Sequence, residues 1–423
     1  MKILIEGPIL TQSGYGEHAR FVFESLRKHA DLYVKPLSWG HTTWRISDAS
    51  KEVIDGINRQ EEYSVESKNK GVAPQYDLQV HVGIANEFTK KAPKSVLITA
   101  GIETDRVSPK WLQKILEGID KIIVPSNHAK EGFTSTSYEV LTNSQSPTLL
   151  ECTCPVRVVP YPVKQFKDQA EDDESKVSKI STNFNFLTVA LLGPRKNIEK
   201  QIEWFLKEFK NEPDVGLVLK TGFAKSSTID RAKTEKHLRT LVSKFKDSKC
   251  KVYLMHGSMS ELEINSLYSH SKIKAYLSFS HGEGYGLPIF EAAYNGLPVV
   301  ATDWSGHLDF LTMPVKQSGR VKEKKMFAKV DYKLKEIPKE VAWKDIIPEG
   351  SSWAFPTENS ARRQMRNVYK NYGMYAKWAS TLKGHVLENY EHLKIKEMMA
   401  AEIIDTHTTQ PAKKETKPKA LVF

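Results

Sequence analysis

The chain has few cysteines and no long hydrophobic run. Its three cysteines, Cys152, Cys154 and Cys250, are too few for a disulfide framework or a four-ligand zinc site, so a reducing, cytoplasmic setting is expected. No run of 18 apolar residues occurs, which excludes an ordinary transmembrane helix. The opening residues, MKILIEGPILTQSGYG, become polar too soon for a signal peptide and predict a first buried strand.

Positive charge is concentrated in the second part of the chain. Residues 1–165 hold 20 Lys and Arg against 19 Asp and Glu, whereas residues 166–423 hold 42 against 32. A basic half suits a diphosphate ligand. It suits equally well a larger polyanion, such as nucleic acid or an anionic membrane surface, and charge alone leaves these alternatives open.

Apolar runs alternate with amphipathic stretches in both halves of the chain. This alternation predicts two parallel sheets flanked by helices, and 423 residues are enough for two domains. The expected division is a Rossmann-like domain over 1–165, a polar linker over 166–183 and a second Rossmann-like domain over 184–359. Helices over 360–405, packing back toward the first domain, and a disordered lysine-rich tail over 406–423 complete the prediction.

Residues 281–311, HGEGYGLPIFEAAYNGLPVVATDWSGHLDFL, carry the strongest functional signal. Glu283 and Glu291 stand eight residues apart, on either side of a glycine-rich turn and a helix that should begin near Leu287. The backbone N–H groups at such a helix start, together with two carboxylates, suit a phosphorylated, hydroxyl-rich ligand. A loop and helix with two solvated glutamates is the ordinary alternative.

This stretch resembles the E-x7-E signature of retaining glycosyltransferases, in particular family four of the GT-B fold. The resemblance implies an α/β chain with two Rossmann-like parallel-sheet domains facing a cleft, the first on the acceptor side. Glu291 would hold the ribose hydroxyls of a nucleotide diphosphate sugar, and Glu283 would bind the transferring sugar. The turn and the helix start would contact the same donor through Gly284, Tyr285, Gly286 and Leu287.

Two further loops match the family at the expected positions. The glycine loop at Gly14, Tyr15 and Gly16 follows the first strand, where relatives place such a loop over the donor diphosphate, and a helix is expected from about Glu17 to His29. Arg195 and Lys196 follow the first strand of the second domain and would stabilise the leaving diphosphate. An unliganded tight turn and a surface Arg-Lys pair are the ordinary explanations of these features.

The acceptor side departs from the family. Many relatives have a His-Asp pair after a strand of the first domain, whereas this chain has Glu103 and Asp105 there, which become the acceptor-side catalytic candidates. His81, at the end of another predicted strand, is a further candidate, although a core histidine explains it equally well.

The donor and the acceptor differ in how far the sequence defines them. No Asp-x-Asp follows a buried strand, so no metal is expected, and a UDP-linked sugar would serve as substrate without a further cofactor. The segment 316–335 holds eight Lys and Arg against two acids. Together with residues 303–311, it resembles the corresponding part of glycosyltransferases encoded by large tailed phages. That resemblance implies double-stranded DNA, with a hydroxymethylated pyrimidine, as acceptor and the host cytoplasm as location. The sequence leaves open a saccharide, a lipid or a protein as the acceptor. It also leaves open a binding protein or an epimerase of the same fold, and it does not define the oligomeric state.

Overall fold

The computed structural model describes residues 1–39, 49–141, 147–166, 180–224, 226–317 and 319–408. The chain forms two compact units, each built from more than one segment. Unit 1 contains Met1–Tyr161, Glu336–Ser351 and the chain from Leu393 onward, and unit 2 contains Pro162–Lys335 and Ser352–His392. Within the described ranges, no helix carries an apolar stretch that would cross a bilayer.

The secondary structure alternates as the sequence pattern predicts. The strands are β1 (Lys2–Gly7), β2 (Asp31–Pro36), β3 (Leu78–Val82), β4 (Lys94–Ile98), β5 (Lys121–Val124), β6 (Ser137–Leu141), β7 (Pro147–Glu151), β8 (Val156–Val158), β9 (Phe184–Val189), β10 (Val215–Lys220), β11 (Lys251–Met255), β12 (Ile273–Ser278), β13 (Val299–Thr302), β14 (Thr312–Gln317), β15 (Arg320–Lys325), β16 (Ala328–Val330), β17 (Tyr332–Glu336) and β18 (Ser352–Pro356). The α-helices are α1 (Gly14–Leu26), α2 (Lys51–Asn69), α3 (Pro109–Leu116), α4 (Asn127–Thr134), α5 (Ile198–Glu208), α6 (Thr228–Val242), α7 (Glu261–Ser269), α8 (Leu287–Asn295), α9 (Leu308–Leu311), α10 (Glu358–Lys370), α11 (Tyr372–Asn389) and α12 (His392–Thr408). Short 3-10 helices cover Ala85–Glu87, Pro194–Lys196, Ser243–Phe245 and Lys339–Val341.

Unit 1 is organised around a six-stranded parallel sheet in the order β2-β1-β3-β4-β5-β8. Side chains alternate between its faces, as the pleat of a strand requires. One face, which includes Ile3 and Ile5, packs against apolar residues of α1 and α12. On the other face, Leu97 and Ile122 pack against Trp111 of α3. The β6–β7 hairpin lies outside this sheet.

Unit 2 repeats the design with a six-stranded parallel sheet in the order β11-β10-β9-β12-β13-β16. Its core joins Phe205 of α5, and Phe209 just after this helix, to the central strands and to Met365 of α10. In a parallel sheet the loops at the carboxyl ends of the strands form the usual ligand-binding edge. The glycine-rich turn before α8 follows β12 at this edge of unit 2.

Several boundaries differ from the sequence expectations. Helix α1 begins at Gly14, because Ser13 caps it by accepting a hydrogen bond from Gly16 N. The predicted 166–183 linker lies mostly outside the described residues. Near its end, Thr182 is buried, and its hydroxyl donates a hydrogen bond to Asn185 Oδ1. The helices expected over 360–405 divide: α10 and α11 belong to unit 2, and α12 packs in unit 1 and continues to Thr408. The remainder of the predicted tail lies outside the described residues.

The lysine-rich segment is not a single insert. Its first part belongs to the antiparallel β14–β15 hairpin. Its next part, β16, is a core strand paired with β13, and Ala328 and Val330 are buried there. The sequence pattern missed this strand because only three residues form it and exposed Lys329 stands between its two buried positions.

Candidate functional site

A tight turn after β9 positions the two predicted cations of unit 2. The chain forms the 3-10 helix Pro194–Lys196 and then enters α5 through Asn197, whose φ is +54°. The Asn197 side chain donates to Phe279 O, just beyond β12, at 3.2 Å. The turn is thereby fixed to the loop that leads into the glycine-rich turn.

Arg195 and Lys196 both contact Glu283 directly. The distance from Arg195 Nη1 to Glu283 Oε2 is 3.0 Å, and that from Lys196 Nζ to Glu283 Oε1 is 2.6 Å. Arg195 also donates to Gly282 O at 2.7 Å. Three of the predicted site residues are therefore assembled into one cluster, although they come from positions almost 90 apart in sequence.

The two cations hold Glu283 in its ionised form. Glu283 is only 6% exposed, and burial by itself would raise the pKa of its carboxyl group. The charges of Lys196 and Arg195, with the hydrogen bond from Lys196, outweigh that burial and lower the pKa of Glu283 to about 2. The cluster is consequently a charged group at neutral pH, with one net positive charge among its three members.

The loop after β13 holds the backbone of Glu283 through two hydrogen bonds. Glu283 N donates to Ser305 Oγ at 2.9 Å, and Gly306 N donates to Glu283 O at 2.9 Å. Ser305 holds a φ of +89°, which costs a non-glycine residue about 1–3 kcal/mol. A Cβ on Gly306 would lie 2.2 Å from Gly284 O, so only glycine fits at that position.

The glycine-rich turn enters α8 as predicted. Gly286 has a φ of +92° and precedes Leu287, the first helical residue, without a side-chain cap. The Tyr285 ring points into the core, where its centroid lies 5.3 Å from that of Phe290 and 5.0 Å from that of Phe310. Tyr285 can therefore serve a ligand only through its backbone.

Glu291 has a cationic partner of its own. Lys164 Nζ lies 3.0 Å from Glu291 Oε1, and both side chains are largely buried. The structure thus gives the two glutamates of the E-x7-E pattern separate partners: Lys164 for Glu291, and the Arg195–Lys196 pair for Glu283. Sequence reasoning missed Lys164 because it stands next to the polar segment that was predicted as a linker.

A second buried polar pair, between a histidine and a carboxylate, lies near the carboxyl ends of β10 and β11. His256 Nε2 is 2.8 Å from Asp230 Oδ2, and Lys220 Nζ donates to Gly257 O at 2.5 Å. His256 stands in the turn that follows β11. Asp230, in the first turn of α6, was missed, although its position after the Ser227 cap gave a signal for it.

In unit 1, the predicted glycine loop is the first turn of α1. Gly16 must be glycine, since a Cβ there would lie 2.1 Å from Thr11 O. The Tyr15 hydroxyl contacts Thr99 Oγ1 at 2.8 Å and accepts from Ala100 N at 3.2 Å. Burial raises the pKa of Tyr15 to about 12, so the hydroxyl stays protonated and ties the loop to the end of β4.

The acceptor-side candidates lie just beyond that contact. The charge of Glu103 acts on Tyr15, which places Glu103 near the same edge of the sheet. Asp105 instead pairs with Arg106, at 3.0 Å, beside buried Thr104. Unit 1 therefore groups Gly14, Tyr15, Gly16 and Glu103 at one edge and gives Asp105 an ion-pair partner.

Among the described residues, no group of three or more His, Cys, Asp or Glu side chains could hold a metal ion. The metal-independence of the chemistry stays a prediction.

Comparisons with known proteins agree with this architecture. Residues 169–334 match the family model described as glycosyl transferases group 1. A probable sucrose-phosphate synthase of Thermosipho melanesiensis is 34% identical over 146 residues, which are 33% of this chain and 30% of that protein. The chain thus aligns with less than a third of this curated relative's length.

Solved structures resemble almost the whole chain. HepE from Anabaena, in complex with UDP and glucose, matches 96% of this chain and 100% of its own, with a TM-score of 0.59 and 12% identity. Sucrose-phosphate synthase from Thermosynechococcus elongatus matches 96% and 99%, with a TM-score of 0.60 and 14% identity. At such identities the likeness establishes the fold. The chain therefore has the α/β fold of the GT-B glycosyltransferases, with two Rossmann-like parallel-sheet units, and its residues 169–334 match the glycosyl transferases group 1 model.

Proposed function

We propose that this protein transfers a sugar from a UDP-linked donor to an acceptor hydroxyl with retention of configuration. The observation that carries the proposal is the cluster of Arg195, Lys196 and Glu283 at the carboxyl edge of the unit 2 sheet. It combines fixed cations that can bind a diphosphate with a carboxylate that can accept hydrogen bonds from sugar hydroxyls. The family match of residues 169–334 supports the same conclusion, as does the fold shared with a protein solved in complex with UDP and glucose.

Each member of the cluster has a role that follows from its chemistry. Arg195 and Lys196 neutralise the charge that develops on the departing diphosphate, an electrostatic contribution that needs little reorganisation because the side chains are already held. Glu283 accepts hydrogen bonds from the sugar. Since Lys196 lies 2.6 Å from Glu283, a donor phosphate competes with this carboxylate for the ammonium group.

The rest of the donor site follows from α8. Glu291, oriented by Lys164, accepts hydrogen bonds from the ribose hydroxyls. The backbone of the Gly284–Leu287 turn contacts the diphosphate sugar, where the helix N-terminus favours negative charge. In the overall transfer, the bond between the sugar and the diphosphate oxygen breaks and a bond to the acceptor oxygen forms. The acceptor hydroxyl proton leaves with the UDP.

We propose duplex DNA with a hydroxymethylated pyrimidine as the acceptor. The support comes from the β14–β15 hairpin, whose pairing places Arg320, Lys322 and Lys324 opposite Gln317, Val315 and Met313. Because side chains alternate across a strand, these three cations share one face, and Glu323 lies on the other. All three are exposed, and among the described residues none of them pairs with a carboxylate, while Lys324 Nζ lies 4.3 Å from the centroid of the Trp378 ring. Such a face suits successive phosphates of a nucleic-acid backbone.

The transfer is tested by mass spectrometry of acceptors incubated with a panel of UDP sugars. We expect a hydroxymethylated duplex to gain one sugar mass per modified base, and an unmodified duplex to gain none. The anomeric proton coupling of the product should match that of the donor, because configuration is retained. If no UDP sugar is turned over, with or without acceptor, the proposal is wrong.

The DNA-binding face is tested separately through salt dependence. Replacement of Arg320, Lys322 and Lys324 by glutamine should make the slope of log affinity against log salt shallower by up to about 2.7, given roughly 0.9 per phosphate contact. The matched control replaces exposed Lys244, Lys246 and Lys249, which removes the same charge elsewhere in unit 2. Equal slopes for the two triple variants would exclude the hairpin as the contact surface.

A further inference from the structure

Unit 1 contains an open cavity on the face of its sheet opposite to the one that packs against α1. The cavity has a volume of about 640 Å³, which lies within the usual range of small-molecule sites. Helix α2 lines it through Gln60 and Ser64, and the segments 73–76 and 90–93, which precede β3 and β4, form much of the remaining wall. The glycine loop before α1 and Glu103 do not line this cavity, so it is distinct from the groups assigned to sugar transfer.

Two lysines that line the cavity share one buried carboxylate. Glu6 is 3% exposed, and its Oε1 atom accepts a hydrogen bond from Lys91 Nζ. The same oxygen lies 3.7 Å from Lys35 Nζ, a distance longer than a hydrogen bond. The other oxygen, Oε2, accepts a hydrogen bond from Gln79 Nε2 at 2.6 Å. Because Lys91 and Gln79 already occupy the carboxylate, Lys35 is left with a long ion pair.

The charge of the second lysine is therefore only partly compensated. The nearby ammonium group of Lys91 lowers the pKa of Lys35, burial adds to this effect, and the charge of Glu6 opposes it. Lys35 remains accessible to a ligand, since 51% of its side chain is exposed. Lys90 brings a third ammonium group to the cavity, and the carboxylate of Asp120 is 3.9 Å from it. An anion between Lys35 and Lys91 would relieve the repulsion between their charges.

The first of these cations is held in place before any ligand binds. Gln79 is fully buried, and its Oε1 atom accepts a hydrogen bond from Lys91 N at 2.8 Å. Gln79 Nε2 also donates to Thr89 O at 2.9 Å, which fixes the segment before β4 to the sheet. Lys91 is thus held by Gln79 at its backbone and by Glu6 at its ammonium group. A cation positioned in this way loses little conformational entropy when it binds an anion.

Apolar groups form another part of the cavity wall. Leu4, Tyr76 and Ala92 line the cavity and belong to one buried cluster. The Tyr76 hydroxyl already donates to Gln60 Oε1 at 2.6 Å, so the ring rather than the hydroxyl is available to a ligand. A ligand that uses both parts of the wall needs an anionic group for the lysines and an apolar body for this cluster.

We propose that this cavity, here named the Lys35 cavity, binds a small organic anion, namely a carboxylate or phosphate monoester with an apolar body. Lys35 and Lys91 bind the anionic group, and the apolar body packs against Leu4, Tyr76 and Ala92. The formal charges of Lys35, Lys91 and Glu6 sum to one positive charge, which suits a ligand with a single anionic group. The assignment does not depend on the proposed sugar transfer.

The first experiment measures binding of phenyl phosphate by isothermal titration calorimetry. We expect one molecule to bind per chain, more tightly than inorganic phosphate, and we expect no binding of phenol. Lys35→Gln should weaken the binding of phenyl phosphate roughly threefold to tenfold, as expected for a partly exposed charge pair. The matched control is Lys28→Gln, which removes the same charge at an exposed position after α1 and should leave the affinity unchanged.

The second experiment fills the cavity from α2. Ser64→Leu places a larger side chain in the wall and should abolish the binding of phenyl phosphate. The control is Ser380→Leu, the same substitution at an exposed position of α11, which should have no effect. Binding that neither Lys35→Gln nor Ser64→Leu weakens would overturn the assignment, as would the absence of binding at millimolar phenyl phosphate. Equal affinities for phenyl phosphate and inorganic phosphate would refute the proposed ligand class, because the apolar wall would then contribute nothing.

Discussion

The ion pairs of Glu283 should contribute measurably to stability, in a pH-dependent way. A fall of its pKa from 4.5 to about 2 corresponds to about 3 kcal/mol of stabilisation at neutral pH. Because the folded pKa is the lower one, this stabilisation is present in full above pH 4.5 and is lost as the pH falls toward 2. Glu283→Gln lacks the titrating proton and should lack this dependence.

The measurement compares the two proteins rather than their absolute stabilities. Urea unfolding at pH 6 and at pH 3 gives the free energy of unfolding of wild type and of Glu283→Gln. At each pH the contributions of the other carboxylates cancel in the difference between the two proteins. We expect this difference to shrink by about 2 kcal/mol between the two pH values. Glu388→Gln, at an exposed site on α11, is the control and should show no such change. A difference that is constant with pH would refute the inference that Arg195 and Lys196 lower the Glu283 pKa.

Three further predictions concern the donor site. Glu291→Ala should chiefly weaken donor binding, and Glu283→Ala should chiefly lower turnover. Each effect should be roughly tenfold to a hundredfold, because a charged hydrogen bond is lost. Initial-rate kinetics separate the two effects, and wild-type kinetics in both variants would contradict the assignment. Transfer should survive EDTA, since Arg195 and Lys196 occupy the role of a metal; complete loss that a divalent ion restores would contradict this. The free energy of unfolding of Ser305→Ala should be about 1 kcal/mol lower than that of Ser305→Gly. Both variants lose the hydrogen bond from Glu283 N, but only alanine keeps the strain of a positive φ. Equal thermal stabilities of the two variants would be evidence against strain at this residue.

The sequence predicted the elements whose signals are local. Each strand of a parallel sheet is a short apolar run, and glycine-rich turns before helices mark their own positions, so the two-sheet fold and the separate turns that carry Arg195, Lys196 and Glu283 followed from residues 1–311. Only the family resemblance indicated that these three residues belong to one site. Long-range pairings have no local signal: nothing near Lys164 indicates that it contacts Glu291, 127 residues away. The same reason explains β16, since a three-residue strand is recognisable only from its partner β13.

The two surfaces that we propose for DNA and for the donor are connected within unit 2 by an ion pair and a loop. At the base of the hairpin, Lys325 Nζ lies 2.5 Å from Asp303 Oδ1. Asp303 begins the loop whose Ser305 and Gly306 hold the backbone of Glu283 on both sides. Lys325 adjoins Lys324 in β15 but lies on the other face of the strand, so a shift of β15 on binding a phosphate would act through Lys325 and Asp303 on the segment that holds Glu283. Because binding free energies are coupled reciprocally, any effect of DNA on donor affinity through this loop must appear equally as an effect of donor on DNA affinity. Asp303→Asn would weaken the link while leaving the hairpin face and the Arg195–Lys196–Glu283 cluster intact, and should reduce both effects together.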